Sequence, residues 1–228
     1  MGGVREGAKG LQVSSFIEGR ALSYNTKGDG MTEGKRYVVR DESLAEEGKK
    51  RIEWARREMQ VLSLVSERVG KEKPFLGIRI GGCLHITVET ANLAISLKEA
   101  GAEISLCASN PLSTQDDVAS ALAVLYDIPV FAFRDESPTE YYMFIHRVLD
   151  RHPQLVIDDG ADLIITLVGE RSEVLPGVRG GTEETTTGVN RLKQLHQEKR
   201  LSFPVIAVNS SHTKYPVSYT HLTLPTNR

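Results

Sequence analysis

The chain predicts an α/β fold, a doubly wound parallel sheet with helices on both faces, and three observations predict it. Short apolar, partly β-branched runs recur at 76–80, 103–107, 129–133, 155–157 and 204–208, as expected of strands buried on both faces. Helical stretches at 88–100, 115–126, 139–151, 162–168 and 184–199 lie between them, and strict alternation of the two kinds of element is the pattern of a parallel sheet. Polar clusters stand where apolar runs give way, in GGCLHITVET (81–90), DDGAD (158–162) and GTEETTTGV (181–189). In an open α/β sheet ligands gather at the carboxyl ends of strands, because helix amino termini and free backbone donors converge there.

With 228 residues, 40% of them hydrophobic, the chain is long enough for one sizeable domain. Its net charge of -2 and pI near 6.3 give no electrostatic footprint for nucleic acid or an anionic membrane. No apolar run approaches a membrane span, and the opening MGGVREGAKG lacks the apolar core of a secretion signal. Cys83 and Cys107 are the only cysteines and both sit in apolar runs. Two small buried thiols fit a reduced, cytoplasmic setting better than a disulfide framework.

Taken in order, residues 1–36 are rich in Gly, Ser, Lys and Arg without an apolar period, and read as a disordered leader, with Met31 a plausible start. A long helix is expected after Ser43, whose hydroxyl and Glu46 form the pattern of a capping box. Leu44, Gly48, Ile52, Ala55, Met59, Leu62, Val65 and Val69 fall on one face of it, the expected core face.

The first strand is expected to end at Gly81 and Gly82, leaving His85, Thr87 and Glu89 in the turn before a helix: a base, a hydroxyl and a carboxylate together. Thr87 could equally cap that helix. Asp158 and Asp159 point to opposite sides of an extended chain, so one can cap the following helix while the other faces a ligand. A Mg²⁺ site would need such oxygens, but no phosphate-binding glycine loop with lysine accompanies them, and no metal is expected. Thr185, Thr186 and Thr187 open a helix; threonine forms helices poorly, so a run of three points to a ligand. In STQDD (113–117), Ser113 or Thr114 reads as a cap, and Lys214 by itself reads as a solvated lysine.

The strings SLAEEGKKRIEWA, GCLHITVETANL, CASNPLSTQDDVA, VIDDGADL, LPGVRGGTEETTTGV and FPVIAVN, in that order over about 38–215, resemble the S-adenosyl-L-homocysteine hydrolase (adenosylhomocysteinase) family, chiefly its archaeal and thermophilic bacterial members. The resemblance implies a Rossmann-like substrate-binding domain, residues 37–215. It also implies reversible hydrolysis of S-adenosyl-L-homocysteine to adenosine and homocysteine through transient oxidation of the ribose 3′-hydroxyl by tightly held NAD.

The catalytic set it implies is His85, Asp159, Glu184 and Lys214. Thr87, Glu89, Asp159, Glu184 and Lys214 would bind substrate, Glu89 reading the adenine amino group, and Thr185, Thr186 and Thr187 would touch NAD. A homotetramer is the implied assembly of the full-length protein. The departures are specific. No G-x-G-x-x-G follows a strand, Ser210 stands where the family has aspartate, and PVSYTHLTLPTNR (216–228) leaves the pattern after Tyr215. The chain therefore reads as an incomplete substrate-binding portion with a non-native tail, expected to be inactive alone. The competing reading is a catalytically silent relative that binds without turnover.

Overall fold

The computed structural model describes Gln12–Ile17, Arg20–Asn25 and residues 36–212. Two units are separable, Met1–Arg36 and Tyr37–Arg228. In the first, where no regular structure is expected from composition, β1 (Gln12–Ile17) pairs antiparallel with β2 (Arg20–Asn25) in the register Ile17↔Arg20 through Gln12↔Asn25. Such a two-stranded ribbon is by itself only marginally stable in water. Apart from Arg36, the other leader residues and the expected non-native tail, 216–228, lie outside the described residues.

The second unit holds a six-stranded, all-parallel sheet in the order β5-β4-β3-β6-β7-β8. Its strands are β3 (Arg79–Leu84), β4 (Glu103–Ala108), β5 (Val130–Phe131), β6 (Leu155–Asp158), β7 (Gly180–Glu183) and β8 (Val205–Ala207). The expected alternation is present: α3 (Val88–Glu99), α4 (Asp116–Val124), α5 (Pro138–Leu149), α6 (Asp162–Gly169) and α7 (Thr186–Gln197) connect the strands. One apolar cluster gathers Ile52, Ile95, Leu106 and Leu122 beside α1 (Ala45–Glu58), α3 and α4. The other gathers Phe144, Val148, Leu163, Ile164 and Leu192 beside α5, α6 and α7. The sheet is thus covered on both faces, and each fully buried Leu, Ile or Phe contributes roughly 1.5–3 kcal/mol. Strand order reverses between β3 and β6, so the crevice of this fold opens at their carboxyl ends.

Several expectations are corrected. The helix after Ser43 is two helices, α1 (Ala45–Glu58) and α2 (Gln60–Glu72), broken at Met59 (φ -93°, ψ 57°), where the Ser63 hydroxyl donates to the carbonyl of Met59. Ser43 is not its cap. Asp41 accepts from the Ser43 amide and opens a 3-10 turn, Glu42–Leu44, that leads into α1. Gly48, Ile52 and Ala55 are buried as the spacing requires, but beyond the break Val65 is exposed and buried Ser66 faces inward instead, bonded to the Ser96 hydroxyl at 2.6 Å.

The first strand of the sheet is not 76–80. Leu76 is 74% exposed, and the strand runs on through the two glycines expected to end it. A Cβ at Gly82 would fall 2.7 Å from Leu106 Cδ2, and one at Gly81 2.9 Å from Val148 Cγ1. These glycines therefore admit large neighbours against the strand. β7 was not expected at all, since GGTE has no apolar run; Val156 of β6 fills the space beside Gly181, 2.6 Å from where a Cβ would stand.

Candidate functional site

His85 is the first residue past β3, in the turn that enters α3, and its side chain is 46% exposed. Nε2 lies 3.3 Å from Asp159 Oδ2, and Nδ1 lies 2.6 Å from Ser113 Oγ. Asp159 follows β6, its side chain only 9% exposed, and its Oδ2 also accepts from Ser109 Oγ at 3.1 Å, just past β4. Three strand ends thus converge on one imidazole.

Ser113 Oγ has a second partner, the Asn110 carbonyl at 2.9 Å. A neutral His85 ring donating through Nε2 to Asp159 accepts at Nδ1 from the Ser113 hydroxyl. A protonated ring donates at both nitrogens while that hydroxyl turns to Asn110. Both protonation states are hydrogen-bonded, so the ring can take up or release a proton without stranding a partner. That is the requirement for a general acid or base.

Two residues further on, Thr87 is the N-cap of α3 but makes no side-chain capping bond. Its hydroxyl donates instead to Glu89 Oε2 at 2.7 Å. The two candidate nucleoside contacts therefore form a pair, with Glu89 exposed at the start of the helix.

The DDGAD and TEETTT loops are neighbours across β6 and β7, in the register Asp158↔Glu183. Asp158 is fully buried and accepts from the amides of Asp159 (3.0 Å) and Ile164 (2.8 Å), which anchors the first turn of α6. Burial pushes its carboxyl up to about 8 despite those donors, with the nearby Glu183 and Asp162 charges adding to the rise. The two aspartates divide the work: Asp158 anchors a helix and Asp159 faces His85.

Glu184 is half-buried, and its amide donates to the Asp158 carbonyl at 3.0 Å. Thr185 is the N-cap of α7, accepting from the Gly188 amide at 2.9 Å while donating to Glu183 Oε1 at 2.8 Å. Its hydroxyl is committed within the chain. Thr186 and Thr187 are exposed in the first turn of the helix, where hydroxyls and free amides suit a polar ligand group. Lys214 lies outside the described residues.

Sequence reasoning missed four contributors. Ser113 and Thr114 cap nothing: Gln115 is the N-cap of α4, Ser113 serves His85, and Thr114 is buried with an unpaired hydroxyl. Ser109 and Glu183 were unremarkable letters in their strings. Arg191 of α7 ion-pairs Asp162 at 2.8 Å and donates to the Gly160 carbonyl at 2.5 Å, pinning the DDGAD loop. Only the hydroxyl-rich stretch at 109–114 signalled any of them. Among the described residues, no cluster of His, Cys, Asp or Glu is arranged to hold a metal ion, and no helix is long and apolar enough to cross a membrane.

A family model described as S-adenosyl-L-homocysteine hydrolase matches residues 36–174 and 168–221. Among similar proteins, the adenosylhomocysteinase of Aquifex aeolicus is 56% identical over 179 residues, 78% of this chain and 43% of the relative. That of Thermosynechococcus vestitus is 53% identical over 79% of this chain and 42% of the relative. The S-inosyl-L-homocysteine hydrolase of Methanocaldococcus jannaschii is 51% identical over 78% of this chain and 43% of the relative. The chain spans less than half the length of these curated relatives.

Proposed function

The chain belongs to the S-adenosyl-L-homocysteine hydrolase family, and from that premise we propose that it is the substrate-binding portion of an enzyme cleaving the thioether of S-adenosyl-L-homocysteine or its inosyl counterpart, giving the nucleoside and homocysteine. The support comes from the convergence of His85, Asp159 and Ser113 at the crevice between β3 and β6. This is where an open α/β sheet receives its ligand, and it carries a proton-transfer group poised in both states.

In this reading His85 stands at the 5′ side of the ribose, giving a proton as the homocysteine sulfur departs and taking one from the water that replaces it. Asp159 orients the ring and stabilises its charged form. Glu184 and Lys214 bind the 2′- and 3′-hydroxyls and accept the protons released there and at the 4′ carbon. The exposed Glu89, with Thr87, reads the base edge. When bound, NAD⁺ supplies a reversible hydride acceptor for the 3′ carbon, which is what acidifies the 4′ proton. Thr186 and Thr187 fit a contact with its nicotinamide end, whereas the Thr185 hydroxyl is already satisfied by Glu183 and Gly188. Each positioned acid or base is worth on the order of 100- to 10,000-fold in rate. A cytoplasmic homotetramer is the proposed setting.

Thiol release tests this. The protein carrying this chain at the length of its relatives, supplied with NAD⁺, is assayed on S-adenosyl- and S-inosyl-L-homocysteine, with the 228-residue chain alone as the expected silent control. Release from either substrate supports the reading, and the faster of the two fixes the base. Binding of nucleoside without release from either, under conditions in which the Aquifex aeolicus enzyme turns over, would establish the non-catalytic alternative.

A further inference from the structure

Below the crevice, the side chains of Asp158 and Glu183 stand beside each other in register on β6 and β7, both without exposed surface. Glu183 Oε1 is saturated. It accepts from the Gly160 amide (2.9 Å), the Thr185 amide (2.8 Å) and the Thr185 hydroxyl (2.8 Å). Glu183 Oε2 is equally buried and has no partner. The carboxyl lies flat against Gly188 of α7, where a Cβ would come within 2.2 Å of Oε1.

Among the described residues, the surrounding groups supply no neutralising cation. Arg191 of α7 is engaged by Asp162 and the Gly160 carbonyl, and Asp162 of α6 also accepts from Tyr141 of α5 at 2.9 Å. On β3 the residue in register with Asp158 is the thiol Cys83, and on β8 the residue in register with Glu183 is Ala207. Two adjacent carboxylates in such a site cannot both ionise. Glu183 already accepts from three donors on one oxygen and has no O–H partner for the other. Asp158, facing burial and two neighbouring negative charges, is the better acid. An Asp158 that keeps its proton has one O–H to donate, and Glu183 Oε2 is a buried acceptor that lacks a donor.

We propose that Asp158 and Glu183 share one proton, the Asp158 carboxylic acid donating to Glu183 Oε2, and that this bond fastens the loop carrying Asp159 to the loop carrying Glu184. Neither side chain touches substrate; both are positioning residues. The fastening adds a side-chain link to the backbone bonds from Gly160 and Thr185, so the relative placement of Asp159 and Glu184 depends on a proton held beneath them.

The test needs no turnover and stands apart from the proposed activity. Side-chain carboxyl ¹³C and backbone ¹H–¹⁵N shifts of the 228-residue chain are followed across pH. One aspartate carboxyl, lost in Asp158→Asn, titrates near pH 8, and the Gly160 and Thr185 amides move with the same midpoint. In Asp158→Asn, whose amide NH₂ replaces the acid O–H as donor, those two amides become independent of pH over that range. In Glu183→Gln the Asp158 midpoint falls, with proton affinity lower by about tenfold or more, since the like charge is gone. Titration of Asp158 in the ordinary carboxylate range, or Gly160 and Thr185 amides that do not respond at its midpoint, overturns the proposal. Should the variants fail to fold, the titration of the unsubstituted chain decides by itself.

Discussion

Replacing Gly188 with alanine sets two effects of known size against each other. Gly188 is the third residue of α7, and alanine in a helix is favoured over glycine by up to about 1 kcal/mol. Against this, a Cβ there would lie 2.2 Å from Glu183 Oε1 and 2.3 Å from its Cδ. The carboxyl must retreat by roughly 1 Å to restore van der Waals contact, and Oε1 holds three donors at 2.8–2.9 Å. Losing one or two hydrogen bonds to a buried charge costs about 1.5–3 kcal/mol each.

The loss outweighs the gain, and Gly188→Ala is expected to destabilise by about 2–4 kcal/mol. For a chain of this size that lowers Tm by roughly 5–15 °C. Gly169→Ala is the control: it closes α6 with nothing within 4 Å of a new Cβ, and should be neutral or stabilising by up to about 1 kcal/mol. Thermal melts by circular dichroism, with urea unfolding to check that the slope is unchanged, measure both. A Gly188→Ala chain melting at or above the parent temperature would refute the close approach of α7 to Glu183 and the hub built on it.

Stability should also depend on pH. Asp158 at about 8 and Glu136 at about 7 both titrate above their unfolded values near 4, so the folded chain keeps protons that the unfolded chain releases. Stability therefore falls as pH rises from about 4 to about 8, and Asp158→Asn should flatten that fall by a few kcal/mol; parallel unfolding curves for the two chains would contradict it. If the proposed activity holds for this chain carried at the length of its relatives, Glu184→Ala and Lys214→Ala should each lower turnover by about 100-fold or more, while His152→Ala, an exposed residue beyond α5, should leave it unchanged. Ser113→Ala removes one neutral hydrogen bond from His85 and should lower kcat by roughly 2- to 10-fold with an altered pH–rate profile; an unchanged profile would show that Nδ1 does not rely on it.

The parts of this fold legible in the sequence are those whose burial is written in apolar letters. β4, β6 and the five helices between strands fall where periodicity puts them, within a few residues. β7 escaped because its neighbours supply the bulk: GGTE is a strand by virtue of Val156, not of its own side chains. The break at Met59 escaped because nothing in a three-and-four pattern registers a single residue leaving helical geometry. At the site, titratable letters at strand ends pointed to His85, to the Asp158–Asp159 pair and to the two glutamates of TEETTT, and the family resemblance chose Asp159 and Glu184 among them. The residues that hold them were hidden by distance along the chain, since Ser113 lies 28 positions from His85 and Gly160 lies 23 from Glu183. Capping is the usual use of a serine before a helix, and pairing with an imidazole from another strand is visible only once the sheet is assembled.

The contact between His85 and Asp159 has a further meaning in the layered sheet. After His85 the chain enters α3 on one face, and after Asp159 it enters α6 on the other, so the two partners stand on opposite banks of the crevice. Two contacts on one carboxylate oxygen span the gap, from His85 at 3.3 Å and from Ser109 at 3.1 Å. Any motion that spreads the banks draws the carboxylate from the imidazole, and any ligand that draws them together keeps the ring seated between Asp159 and Ser113. The width of the crevice is thereby tied to the orientation of one ring.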